Sequence, residues 1–315
     1  EIFEMGNAIY SERPEALLQL GSIYSRLNQV DLSAERFQDA MDILEGTRET
    51  QMLDTANAET WVQHWDIATM GLGQALTFAE RYQEAADLYG RLLEDSPENT
   101  SLVGSLAGVL SELGQADSVR VLYDELLSRP GLSERDLFNA GVGLYQIDNW
   151  EGAAQAFSAA AEMNPFNRDA RLNLAPTYMI SEDWELAVAA CRDLLEVDPR
   201  SQEGWTWLAR SLSGVEDQEQ AGATIIQYQE LGYHVAGVRL EGMADGGARI
   251  SGQITNTGTE AGQTITLRFF FGGMNGQEVG SSDVRVQMPA VDQSESFSTE
   301  FTSTELISGY RYEVV

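Results

Sequence analysis

Residues 153–165 read Ala153-Ala154-Gln155-Ala156-Phe157-Ser158-Ala159-Ala160-Ala161-Glu162-Met163-Asn164-Pro165. Thirty-four positions later, residues 187–199 run Ala187-Val188-Ala189-Ala190-Cys191-Arg192-Asp193-Leu194-Leu195-Glu196-Val197-Asp198-Pro199. A small residue, a larger one four positions on and a third three beyond that lie on one face of a helix, and the proline stops it. The pattern extends both ways at the same step. Ala85 and Tyr89 precede Pro97, Val119 and Tyr123 precede the loop at Pro130, and Ala221, Ile225 and Tyr228 close the series. A second set lies upstream of each: Leu72-Gly73 with Leu76, Leu106-Ala107 with Leu110, Ala140-Gly141 with Leu144, Leu174-Ala175 with Tyr178, and Leu208-Ala209 with Leu212 behind Trp205. Gly or Ala beside an apolar residue lets two helices approach closely. Each period therefore predicts a helical hairpin, and an unrelated bundle has no reason to keep a constant step.

This pattern resembles the tetratricopeptide repeat family over roughly residues 66–232, with an earlier repeat at 14–45 carrying Leu17, Leu20-Gly21, Tyr24, Phe37 and Ala40. The resemblance implies a solenoid of about six to seven hairpins across residues 1–232. Residues 46–65 interrupt the step and read as a loop leading into a lengthened helix, with Trp61 and Trp65 covering the insertion's own contact with the solenoid or, in a second reading, forming an exposed docking patch. Residues 1–13 look like the first helix of a further, shortened repeat, and Pro176 is expected to kink its helix or open a carbonyl.

After Gly232 the period changes to strict alternation. Candidate strands are His234–Met243, Ala248–Asn256, Gln263–Phe271, Glu278–Met288, Glu295–Thr302 and Gly309–Val315, separated by Gly-, Asn- and Pro-rich turns. Residues 233–315 thus predict a small antiparallel β-sandwich, making the whole an α + β multidomain chain. The run Ile250-Ser251-Gly252-Gln253-Ile254-Thr255-Asn256-Thr257-Gly258, with Phe269-Phe270-Phe271, Phe297 and Phe301, is similar to the immunoglobulin-like sandwiches of bacterial envelope and secreted proteins. Some of those are named for a Phe-x-Leu-Tyr-Asp motif, and that motif is absent here.

The 315 residues include 50 acids and 19 bases, every base an arginine, for a formal charge of −31. Residues 1–232 carry a net −26 and residues 233–315 a net −5. So acidic a surface repels phosphate backbones and argues against nucleic acid. No long apolar run predicts a membrane span. One cysteine, Cys191, rules out an internal disulfide or a Cys-based zinc cluster, and its apolar register position predicts a buried thiol. His64 and His234 stand about 170 positions apart in a protein of neighbour contacts, so a shared site is not expected. No nucleophile elbow, phosphate loop or zinc-protease segment occurs. The sequence predicts no catalytic residues, no metal site, no cofactor and no enzyme.

Recognition remains. In tetratricopeptide arrays the first helices line a groove. That resemblance assigns Met70, Phe78, Phe138, Val142, Tyr145, Leu172, Met179 and Trp207 to it, with Arg135, Asn139, Asn173 and Arg210 as polar neighbours. Family members that clamp chaperone C-termini use lysines with asparagines, and a chain without lysine does not complete that clamp. Two readings follow. In the first, the protein is an extracytoplasmic subunit, secreted, periplasmic or at the cell surface, that joins copies of itself head to tail. Its ends would be Ile2, Phe3, Met5, Ile9 and Tyr10 against Tyr310, Tyr312, Val314 and Val315. In the second, it is a monomeric adaptor whose groove takes a peptide or helix of another protein. The opening Glu1-Ile2-Phe3 suits either a processed mature chain or a fragment.

Overall fold

A computed structural model describes residues 13–50, 55–244 and 246–315. The chain forms two compact bodies, Glu1–Leu126 and Leu127–Val315.

The first body holds three hairpins: α1 (Pro14–Arg26) with α2 (Val30–Thr50), α3 (Thr55–Phe78) with α4 (Tyr82–Asp95), and α5 (Thr100–Glu112) with α6 (Ala116–Leu127), the last ending at the boundary. Small residues set the spacing of the helices. The Phe37 ring lies so close to Gly21 and Gly71 that a Cβ would stand 2.9 and 2.5 Å from it, and Gly73 receives Tyr89 in the same way. Leu17, Leu72, Leu76 and Tyr89 join Phe37 in one core. The insertion departs from its sequence reading at one point. Residues 46–50 are not loop but the last turn and more of α2. The Trp61 indole Nε1 donates to the Leu44 carbonyl at 2.8 Å, and Trp61 stacks on Trp65 at 5.2 Å between centroids. That packing offsets the roughly 1 kcal/mol that Gly46 costs a helix.

The second body begins with three more hairpins: α7 (Glu134–Gln146) with α8 (Trp150–Met163), α9 (Arg168–Ile180) with α10 (Trp184–Val197), and α11 (Gln202–Gly214) with α12 (Gln218–Glu230). Ser133, Asn167 and Ser201, one period apart, cap α7, α9 and α11 by accepting from the N–H of Asp136, Ala170 and Gly204. A Cβ on Gly141 would stand 2.6 Å from the Phe157 ring, which explains glycine there. Helix α9 runs through Pro176, which has no N–H to offer the Leu172 carbonyl, and the Thr177 hydroxyl donates to the Asn173 carbonyl at 2.6 Å.

Gly232 turns helix into strand at φ +74°, and its carbonyl accepts from the N–H groups of Thr257, Gly258 and Thr259. Six antiparallel strands follow: β1 (Tyr233–Gly242), β2 (Ala248–Asn256), β3 (Thr264–Gly273), β4 (Glu278–Gln287), β5 (Ser294–Phe301) and β6 (Ile307–Val314). They form two sheets, ordered β1-β2-β5 and β4-β3-β6. Alternate residues turn inward, so Val235, Ile250 and Ile254 of one sheet meet Leu267, Phe269 and Phe271 of the other. Tyr310 and Tyr312 belong to this core, the latter 1% exposed. Neither is available as an end surface, which corrects that part of the sequence reading. Alternation put both on one face of β6, and that face points inward. Val314 and Val315 are exposed. Ile2, Phe3, Met5, Ile9, Tyr10 and the helix expected at 1–13 lie outside the described residues.

The hairpins and the sandwich of this body are joined through the loops that carry the period. Asn164 and Asp198 occupy the same register position. Asn164 Nδ2 donates to Ser308 Oγ at 2.9 Å, and Tyr312 Oη donates to Asp198 Oδ1 at 2.6 Å. Phe166 and Arg200 are register partners too. Arg311 lies over the Phe166 ring at 5.9 Å, and Arg200 over the Tyr233 ring at 4.3 Å. One strand, β6, therefore reads two successive repeats, four residues apart along its length. Arg168 Nε completes the junction by donating to Asp198 Oδ2 at 2.7 Å.

Candidate protein-binding surface

The residues assigned to a groove fall in both bodies. In the first, Met70 is half-buried against the core and Phe78 projects at the end of α3, 70% exposed. In the second, Arg135, Phe138, Asn139 and Val142 follow one stripe of α7 at spacings of three, four and seven. Arg135 and Asn139 are exposed, and Phe138 and Val142 half-buried. Phe138 leans on Phe157 at 5.6 Å between centroids, and Tyr145 sits edge-on to Trp150 at 4.9 Å. Leu172 and Asn173 are half-buried on α9, as is Trp207 on α11, whose Arg210 is exposed. Met179 does not contribute surface. It is 8% exposed and belongs to the packing of α9.

Two links hold these helices side by side. At their N-terminal ends the Asn167 amide, capping α9, donates to the buried Glu134 carboxylate of α7. Burial pushes the Glu134 carboxyl above its usual range, against the pull of Asn167 and Asn164. Farther along, α9 packs directly on α11. Asn173 gives its amide to the Asp169 carbonyl at 2.8 Å, so it faces its own helix rather than a ligand carboxylate. What the surface offers is half-exposed Phe138, Val142, Tyr145 and Leu172, with Arg135 and Arg210 at its margins.

The groups a reaction would need are placed elsewhere. His64 Nδ1 lies 3.7 Å from Glu15 in the first body. His234, in the second, is held below its ordinary pKa by burial. Among the described residues no cluster of His, Cys, Asp and Glu is arranged to hold a metal ion. Cys191 is fully buried, and burial pushes its thiol up to about 12. A thiol–maleimide assay at pH 8 is therefore expected to label the folded protein at least a hundredfold more slowly than the urea-unfolded chain, whose thiol has a pKa of about 8.5.

Hairpins keeping a constant step, followed by two packed three-stranded sheets, define a tetratricopeptide-like helical repeat with an antiparallel β-sandwich. The tetratricopeptide repeat family profile matches residues 138–202, from α7 to the start of α11. Intraflagellar transport protein 70B of Bos taurus is 28% identical over 162 residues, which are 50% of this chain and 24% of that protein. The chain thus spans about a quarter of the length of this relative. The C-terminal part of a TPR repeat-containing protein from Cytophaga hutchinsonii aligns over 73% of this chain and 88% of its own, at 15% identity and a TM-score of 0.54. YrrB, described as a TPR protein with an unusual peptide-binding site, aligns over 65% of this chain and 96% of its own, at 20% identity and a TM-score of 0.42. At these identities the solved structures speak to fold alone. Among the described residues no helix is long and apolar enough to cross a membrane.

Proposed function

We propose that the chain is a non-enzymatic protein-binding scaffold, an adaptor whose first helices in residues 127–315 take an extended peptide or a helix of another protein. The observation that carries this reading is the stripe Arg135, Phe138, Asn139 and Val142 of α7, continued on α9 by Leu172. Half-exposed apolar side chains bracketed by exposed polar ones recur there at helical spacing. A partner segment buries such anchors while its backbone or polar face meets the margins. The match of residues 138–202 to the tetratricopeptide repeat family supports protein binding as the general class. We also place the protein outside the cytoplasm, on the similarity of its sandwich to envelope-type immunoglobulin-like domains. Head-to-tail self-assembly is the weaker reading, because two of its four C-terminal contact residues, Tyr310 and Tyr312, are spent on the sandwich core.

Peptides selected from a random display library on the wild-type chain provide the test. Binding is expected to weaken at least tenfold, about 1.4 kcal/mol, in Phe138→Ala and Leu172→Ala proteins with unchanged helical content. Selection of no peptide, or peptides indifferent to both substitutions, sinks the adaptor reading.

A further inference from the structure

Strand β1 carries a further strand along only part of its outer edge. Its register with β2 is broken once, by a bulge between Ala236 and Arg239 that holds Gly237 at φ +60°. Before the bulge the Val235 N–H points away from β2 and donates to the Arg200 carbonyl at 3.2 Å, and Ser201 bridges to Val235 in parallel. An extended piece of the chain's own loop therefore serves there as an added strand, and it leaves the edge where α11 begins at Gln202. The extra residue of the bulge changes which backbone groups face outward. Beyond it the Met243 N–H donates to the Gly247 carbonyl. By the two-residue alternation of an antiparallel ladder, Glu241 and Arg239 then pair with β2, and the N–H and C=O of Leu240 point outward. Among the described residues no backbone group meets them.

This part of the edge borders a slot of about 450 Å³. Val238 and Leu240 line it from β1, Phe166 and Asp169 from around the start of α9, and Ser308 and Tyr310 from β6. On the β6 side the groups are already engaged: the Tyr310 N–H donates to the Phe166 carbonyl at 2.9 Å, and Ser308 Oγ accepts from the Asn164 amide. The slot opens at the margin of the groove, since Asp169 stands at the register of Arg135, but its free edge is supplied by the sandwich alone.

We propose that β1 from Val238 to Gly242 docks an extended segment of a partner protein, which adds to the sheet β1-β2-β5 as a fourth strand. Main-chain chemistry selects the occupant. An outward N–H and C=O on one residue are satisfied together by extended backbone, and the chain itself lays such backbone on this edge at Val235. Side chains select its sequence. Alternate residues of the added strand fall beside Val238 and Leu240, which are half-buried against the sandwich core, and the others beside exposed Arg239 and Glu241. The fitting segment thus alternates β-branched apolar residues with uncharged polar ones. A second copy of this chain is disfavoured. The slot is bordered by β6 and α9 as well as β1, which leaves room for one strand and not for a whole sheet edge, and the net charge of −31 repels its like.

The test uses the full chain and a capped seven-residue peptide alternating valine with threonine and serine, titrated by calorimetry. A twin peptide is N-methylated on two adjacent central residues, which blocks both of its edges. The first peptide is expected to bind saturably and the twin at least tenfold more weakly. Leu240→Pro is expected to weaken the first peptide at least tenfold, because it removes an N–H that β2 does not use. Amide exchange of the wild-type chain gives a readout that needs no variant: saturating peptide is expected to slow the Leu240 amide at least tenfold and to leave Arg239 and Glu241 unchanged. Phe138→Ala, in the groove, is expected to leave this binding intact, so that failure here and failure of the adaptor reading are told apart. The proposal is overturned if the first peptide does not bind, if the twin binds as well, if the bound peptide leaves the Leu240 amide unprotected, or if Phe138→Ala abolishes the binding. It is also overturned if the chain sediments as a dimer that Leu240→Pro makes monomeric, because the occupant is then a second copy.

Discussion

Replacing Arg168 with leucine is expected to lower the unfolding free energy by about 3–5 kcal/mol at neutral pH, the cost of stranding a buried charge. The Asp198 side chain is 1% exposed, and its carboxylate has Arg168 Nε at 2.7 Å and Tyr312 Oη at 2.6 Å. Burial raises the Asp198 carboxyl above the ordinary range, while the guanidinium and the phenol hold that rise down. Without Arg168 the desolvation of the carboxylate stands nearly uncompensated, and one phenol does not replace a guanidinium. The sign of the pH dependence follows. In the variant the folded state keeps a proton on Asp198 that the unfolded chain releases near pH 3.9, so the loss grows as pH rises above about 4 and shrinks below it. Urea unfolding at pH 4 and pH 7 measures both the loss and its slope. Arg168→Leu with Asp198→Leu is expected to recover most of the stability, since an apolar pair replaces a buried ion pair at little cost. A single variant losing under 1 kcal/mol would show that water reaches the carboxylate.

The junction that this pair holds is not written in the local pattern. Hairpins and strands were legible because each rests on a period, and the strands appear within two residues of their expected bounds. The caps at Asn99, Ser133, Asn167 and Ser201 recur every thirty-four residues, each an Asn or Ser before an apolar helix. Other features lack such a signal. Every turn between the two helices of a hairpin needs one residue at positive φ: Asn28 in the first, then Glu80, Gly114, Asp148, Glu182 and Glu216 one period apart, with φ from 57° to 70°. Asn28 and Gly114 announce it; the acids are held there by the packing of the two helices they join, against an intrinsic preference of roughly 1 kcal/mol. Likewise, alternation shows that Tyr310 and Tyr312 share a face of β6, but Asp198 lies 114 positions from its partner Tyr312, a distance that no local period spans. Of the groove residues, spacing put Phe138 and Val142 on one stripe. It could not show that Met179, in the same helical series, turns into the array, nor that Ile225 is left uncovered.

Uncovering decides how much one register position weighs. Phe157→Ala is expected to cost about 3–5 kcal/mol, the loss of a buried aromatic together with the cavity it leaves. The Phe157 ring closes on Gly141 so tightly that no Cβ fits between them, leans on Phe138, and has Ala156 and Ala160 beside it on a helix whose inward face is mostly alanine. Alanines have no side-chain length with which to collapse into the void, so the site relaxes little and the cost belongs at the high end of that range. Ile225→Ala, at the same place in the last hairpin, is expected to cost under about 0.5 kcal/mol, because the isoleucine is half in water already. Chemical unfolding of the two variants beside the wild type gives the contrast directly. If the two costs come out alike near 3 kcal/mol, Ile225 is covered in solution by something other than the hairpins and sandwich of residues 127–315. If both fall under 1 kcal/mol, the Phe157 site is loosely packed and the close approach at Gly141 is not what sets the helix spacing.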